Sequence, residues 1–109
     1  MGDMTLRELC ELVGVTRRAI QGYERIGLVS ATSKNKYGYL LYDKSTKERI
    51  EKIILFQNME FTLKEIKEII DAPKEILKPA IEKQIEKLIL KQSKIEKTII
   101  QAQEMISNM

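Results

Sequence analysis

Arg17 and Arg18, Gln21 one helical turn later, and Lys34, Lys36, Tyr37 and Tyr39 beyond them form the most chemically distinctive stretch of the chain. Between residues 15 and 40 the cations are Arg17, Arg18, Arg25, Lys34 and Lys36, and the one acid is Glu24. All four tyrosines, Tyr23, Tyr37, Tyr39 and Tyr42, fall in or just after the same stretch. Cationic side chains neutralise phosphates and tyrosine rings pack against sugars and groove walls, so the interleaving of the two suits a nucleic-acid-binding surface. The competing reading is a solvated hairpin whose tyrosines fill a small core.

Other chemistry finds little support. The 109 residues contain no His and a single cysteine, Cys10, which is too few for zinc, haem or nucleophile–base chemistry of the usual kinds. The 16 carboxylates are spread over caps, helix faces and i,i+4 pairs such as those in Glu82-Lys83-Glu86-Lys87, with no constellation apart from a solvated surface. No catalytic residue, metal or cofactor is expected, and an enzyme is the least expected class. A lone cysteine cannot form an internal disulfide, which suits a reducing compartment, and Cys10 itself is expected to be buried and structural. With no apolar run near the ~20 residues of a membrane span, no membrane partner is expected and the protein is placed in the cytoplasm.

The elements that must position the cluster are legible from caps and periodicity. Leu6, Leu9, Cys10 and Val13 lie on one helical face, Thr5-Leu6-Arg7-Glu8 reads as a capping box, and Gly14 ends the helix. A second helix begins after Thr16 as N-cap, turns Ile20 and Tyr23 inward, and stops at Gly27 after about Ile26. Two short helices joined through Gly14-Val15 have helix-turn-helix spacing, in which the second helix is offered to the major groove. Leu28-Val29 and Tyr39-Leu40-Leu41-Tyr42 are β-prone and flank Ser33–Gly38, which predicts a hairpin wing. A third helix runs from Asp43 as N-cap through Asn58, with Ile50, Ile53, Ile54 and Met59 as core candidates. A fourth opens on the capping box Thr62-Leu63-Lys64-Glu65 and offers Leu63, Ile66, Ile69 and Ile70 before Pro73 breaks it.

From Pro79 onward there is no Gly, no further Pro and no aromatic, and one long helix is predicted. Ile81, Ile85, Leu88, Gln92, Ile95, Ile99, Ala102 and Ile106 recur alternately four and three apart, and all but Gln92 are apolar. Such a stripe, roughly 39 Å long at the helical rise, asks for a partner helix, and a second copy of the chain is the expected one. Gln92 near the middle of that seam is placed to fix register and orientation. The fold class expected is therefore mainly α with a small β-hairpin wing. Residues 1–72 form a winged helix-turn-helix domain, 73–78 a connector, and 79–109 a coiled-coil dimerisation helix.

The order and wording of these segments resemble the MerR family of bacterial transcription regulators over residues 4–70 without a gap. The resemblance rests on Thr5-Leu6-x-Glu8-Leu9, on Gly14-Val15-Thr16-x-Arg18-x-Ile20, and on Tyr23-Glu24-x-Ile26-Gly27-Leu28. It continues through Gly38-Tyr39-x-Leu41-Tyr42, Ile54-Leu55-Phe56 and Phe61-Thr62-Leu63-x-Glu65-Ile66-Lys67. It implies a homodimer joined by an antiparallel coiled coil and bound to a palindromic promoter operator, reaching RNA polymerase indirectly by distorting promoter DNA. Thr16, Arg17, Arg18 and Tyr23 would then meet the major groove and its phosphates. Lys34, Lys36, Tyr37 and Tyr39 would contact flanking backbone or minor groove, and Tyr42 would touch phosphate. Where the family usually has Arg-Tyr this chain has Gln21-Gly22, and Leu40 replaces the common Arg after the wing Gly-Tyr. An operator read differently is expected, with Gln21 as an adenine reader through its bidentate amide. The 109 residues read as a short member without a recognisable effector domain, nucleoid-associated in the cytoplasm. Two alternatives stand beside this reading: an architectural or excisionase-like DNA-bending protein, and a coiled-coil protein-interaction module.

Overall fold

The structure, a computed structural model, describes residues 2–109. In chain order its elements are β1 (Met4–Thr5), α1 (Leu6–Val13), α2 (Arg17–Arg25), β2 (Ser33–Lys34), β3 (Leu40–Tyr42), α3 (Lys44–Asn58), α4 (Leu63–Ile69) and α5 (Lys74–Ser107). They divide into two compact units that meet in sequence between Asp71 and Ala72. The architecture is mainly helical with one small antiparallel sheet.

Helix starts follow the caps written in the sequence. Thr5 accepts from the Glu8 N–H at 3.3 Å while the Glu8 carboxylate accepts from the Thr5 N–H at 3.0 Å, and Thr62 with Glu65 repeats the arrangement. Thr16 caps α2 through Ala19 N–H, and Asp43 caps α3 through Thr46 N–H at 2.8 Å. These cap bonds satisfy first-turn donors that would otherwise have no partner. At the end of α2, Gly27 takes φ 82°, and the N–H groups of Gly27 and Leu28 bond back to Glu24 and Tyr23. The end of α3 has the same geometry without a glycine: Glu60 sits at φ 68°, and Phe61 N–H bonds to Phe56 O at 3.2 Å. Phe56 and Phe61 then meet edge to face at 5.8 Å, the apolar contact that accompanies this kind of helix end.

The core of the first unit is Leu9, Ile20, Tyr42, Ile50, Ile53 and Ile66, all fully buried, with Leu28, Val29, Phe56, Phe61 and Ile70 around them. Ile54 of α3 and Met59 just past its end are only half-buried. Arg49 staples this unit from outside. Its guanidinium grips Asp71 in two parallel bonds of 2.8 and 2.9 Å, and its Nε donates to the Leu28 carbonyl.

Three local expectations are corrected. Leu28-Val29 is not a strand: both side chains are buried in the core, and the strand paired with β3 begins later, at Ser33. The sheet also has a third strand, since Met4–Thr5 pairs antiparallel with β3 in the order β1-β3-β2, with Met4 opposite Tyr42. Residues 74–78 of the expected connector are helical, because α5 starts at Lys74 with Pro73 as its N-cap residue and carries Pro79 inside it. Proline breaks a helix by removing an N–H and crowding the carbonyl four residues back; in the second turn, near a helix start, α5 accommodates it.

Candidate nucleic-acid interface

Helix α2 is held by its inner face and displays its outer one. Ile20 is fully buried and Tyr23 is 3% exposed. The Tyr23 hydroxyl donates to Gln57 Oε1 of α3 at 2.7 Å, and the Tyr42 hydroxyl of β3 donates to Glu24. Two hydrogen bonds from different elements thus fix the roll of α2 about its axis. Burial pushes the Tyr23 hydroxyl above its ordinary pKa, and burial together with the Glu24 carboxylate raises that of Tyr42 further. On the opposite face, Arg17, Arg18 and Gln21 are exposed, with Thr16 exposed at the N-cap. Arg25, one turn beyond Gln21, is exposed on the same face.

The wing is a tight hairpin built around Asn35. Its N–H bonds to Tyr39 O at 2.9 Å, and Gly38 N–H returns to Asn35 O at 3.0 Å. The Asn35 side-chain oxygen also accepts from Tyr37 N–H and Tyr39 N–H at 2.9 and 3.0 Å. Gly38, at φ 85°, supplies the left-handed residue that closes such a loop without splaying its strands. This frame leaves Tyr37 72% and Tyr39 65% exposed, with Lys34 and Lys36 beside them. The Lys36 ammonium lies 5.1 Å from the Tyr37 ring centre, a cation–π contact that holds both at the tip.

The predicted site residues therefore divide. Thr16, Arg17, Arg18, Gln21, Lys34, Lys36, Tyr37 and Tyr39 are exposed side chains on α2 and the wing. Tyr23 and Tyr42 are not: both are buried in the core, with their hydroxyls donating to Gln57 and Glu24. Helical periodicity already turned Tyr23 inward, three residues after Ile20. Arg25 and Arg7 are exposed cations absent from the predicted set. Arg25 is recoverable from its spacing to Gln21, whereas nothing local relates Arg7 of α1 to the wing.

Cys10 is half-buried rather than buried, and desolvation raises its thiol pKa, against the pull of Arg17. Among the described residues no group of three or more His, Cys, Asp or Glu side chains could hold a metal ion. Among the described residues no helix is long and apolar enough to cross a membrane.

In the second unit, the predicted seam runs along α5. Ile85, Ile95, Ile99 and Ile106 are exposed in the single chain, as are Gln92 and Ala102, while Ile81 and Leu88 are half-buried.

Two short helices with an exposed cationic second member, beside a hairpin wing, define a winged helix-turn-helix domain, the class that presents a helix to a nucleic-acid groove. Residues 4–73 match the family described as MerR HTH family regulatory protein, and the chain belongs to that family. Two curated relatives are the HTH-type transcriptional activator mta of Bacillus subtilis and the HTH-type transcriptional regulator SkgA of Caulobacter vibrioides. The first is 32% identical over 94 residues, 86% of this chain and 37% of that protein. The second is 32% identical over 88 residues, 81% of this chain and 34% of that protein. This chain thus spans about a third of the length of either relative. Among solved structures, a MerR family transcriptional regulator from Bacillus cereus superposes with a TM-score of 0.84 at 28% identity, over 95% of this chain and 80% of that one. The N-terminal part of the Bacillus subtilis multidrug transporter activator, MtaN, gives 0.76 at 29% identity, over 94% and 97%. HiNmlR, a MerR family regulator lacking the sensor domain and bound to promoter DNA, gives 0.74 at 16% identity, over 90% and 79%, a likeness of fold.

Proposed function

We propose that the protein is a DNA-binding transcription regulator that acts as a homodimer on a palindromic promoter operator. The observation that carries this reading is the shared exposure of Arg17, Arg18 and Gln21 on α2 and of Lys34, Lys36, Tyr37 and Tyr39 on a preorganised wing. Family membership and the regulatory roles named for mta and SkgA support it. Arg17 and Arg18 meet major-groove edges and phosphates, and Gln21 reads adenine through its amide. The wing engages the flanking backbone, and Tyr23 and Tyr42 hold α2 at the angle the groove requires.

Residues 1–72 form the DNA-binding domain. The apolar stripe Ile81, Ile85, Leu88, Ile95, Ile99, Ala102 and Ile106, interrupted by Gln92, joins two copies as an antiparallel coiled coil. Two copies related by a two-fold axis match a palindromic operator. Distortion of the promoter, at a sequence-dependent energy cost, is the route by which the bound dimer influences RNA polymerase on nucleoid DNA in the cytoplasm. The protein is a non-enzymatic regulator.

Fluorescence anisotropy with the duplex upstream of its own gene and a scrambled duplex, across a salt series, tests this reading. Arg18→Ala is expected to weaken binding to the upstream duplex by about tenfold or more and to leave oligomeric state unchanged. Unchanged affinity in the variant removes Arg18 from the interface. Weak binding of the parent protein, equal for both duplexes and abolished by salt, favours the architectural reading.

A further inference from the structure

Beside the recognition surface lies a cleft of about 530 Å³ lined by Thr5 of β1, Leu6 and Arg7 of α1, Arg17 of α2, and Gly38, Tyr39 and Leu40 of the wing. Two guanidinium-bearing residues line one cleft, with an exposed tyrosine and no acidic side chain in its lining. The volume falls in the range, roughly 300–1,000 Å³, of pockets that take small organic groups, which leaves room for a phosphodiester with its sugar. The partner Arg7 has in this structure is Glu11, one turn along the same helix, at 3.5 Å and with both side chains largely exposed. An exposed i,i+4 pair of this kind contributes little to stability and is screened by salt, so its guanidinium is readily exchanged to a stronger anion.

We infer that this cleft is a seat for a phosphodiester of the DNA backbone, held by Arg7 from α1 together with Arg17, with the ring of Tyr39 against the sugar. The inference rests on the DNA-binding reading above and adds to it a contact from the first helix, outside both α2 and the predicted wing residues. Three elements closing on one phosphate would fix the depth and tilt at which α2 enters the groove. Because the contact is to backbone, it carries affinity without sequence preference.

The test is anisotropy of the full chain with the upstream and scrambled duplexes over a salt series. Parent, Arg7→Ala, Arg7→Lys, Glu11→Gln and Arg18→Ala proteins are compared, with circular dichroism confirming that each is folded. Arg7→Ala is expected to weaken both duplexes by the same factor, about three- to tenfold, and to lower the salt slope by about 0.9 per site. Arg7→Lys keeps the slope because it keeps the charge, and Glu11→Gln binds as well as the parent or more tightly. Arg7→Ala with parental affinity and slope, on a duplex that Arg18→Ala binds more weakly than the parent, overturns the phosphate seat and leaves the DNA-binding reading standing. Loss on the upstream duplex alone also overturns it, by making Arg7 a base contact. If the parent binds neither duplex, the DNA-binding reading fails and the inference fails with it.

Discussion

Tyr23 and Tyr42 show how one residue type divides between surface and core within 20 positions. Tyr37 and Tyr39 stand exposed on the wing hairpin, whereas Tyr23 and Tyr42 lie where α2, α3 and β3 meet. Residue type and local charge announce a nucleic-acid surface for all four, and only the helical period separates Tyr23 from the others. The buried Tyr42 hydroxyl finds its acceptor in Glu24, 18 residues upstream, a pairing that no local pattern records. Replacing Tyr23 with Phe removes one partly buried hydrogen bond and should cost about 0.5–1.5 kcal/mol in urea unfolding. Operator affinity should change less than about twofold, since the buried Ile20 and the Tyr42–Glu24 bond still hold α2 and the Tyr23 hydroxyl makes no contact with DNA in this account. A large affinity loss with unchanged stability would return Tyr23 to the interface. Gly22 belongs to the same helix, and a β-carbon built there meets nothing within 4 Å. Packing therefore does not require glycine, and Gly22→Ala should stabilise the fold by about 0.5–1 kcal/mol. A simultaneous drop in DNA affinity is expected from close approach of the duplex, and a stabilised variant with full affinity would deny Gly22 that role.

Helices were more legible than strands, for a reason of range. Caps such as Thr5 with Glu8 and Asp43 with Thr46 act over three residues, so the starts of α1, α2, α3 and α4 follow directly from spacing. Pairing of β1 with β3 joins Met4 to Tyr42, and two-residue strands carry no alternation to read. The Arg49 staple leaves no local signal for the same reason, because its partners Leu28 and Asp71 lie 21 and 22 residues away. Arg49 holds the Asp71 carboxyl below its ordinary pKa, and cap hydrogen bonds do the same for Glu8 and Asp43. A carboxylate whose pKa is depressed on folding contributes stability above its unfolded pKa and loses it as pH falls through the folded value. Stability should therefore be flat from neutral pH down to about 5 and decline below about 4. Urea unfolding across this range should show a shallower decline for Arg49→Met, with the caps supplying what remains. An identical slope in the variant would show that the Asp71 pair does not contribute.

At the scale of the molecule, a globular unit ending at Asp71 is followed by a 34-residue helix whose apolar stripe the single chain leaves largely open. Periodicity alone exposed that stripe, although it placed the helix start at Pro79 rather than Lys74. Ile95→Glu sets a charge in the proposed seam and should raise the dimer dissociation constant more than about tenfold by sedimentation analysis. A variant that remains dimeric would mean α5 does not form the interface. A monomer presents one recognition helix instead of two, so the same variant should also lose most of its operator affinity. The central claim is that the exposed face of α2 and the wing bind DNA in a sequence-specific way. Anisotropy of the parent protein with the duplex upstream of its gene, against a scrambled duplex at rising salt, tests it most directly. The account predicts tight binding to the upstream duplex with a preference of about a thousandfold or more that persists at moderate salt. Equal, salt-labile binding to both duplexes, or no binding, would contradict it.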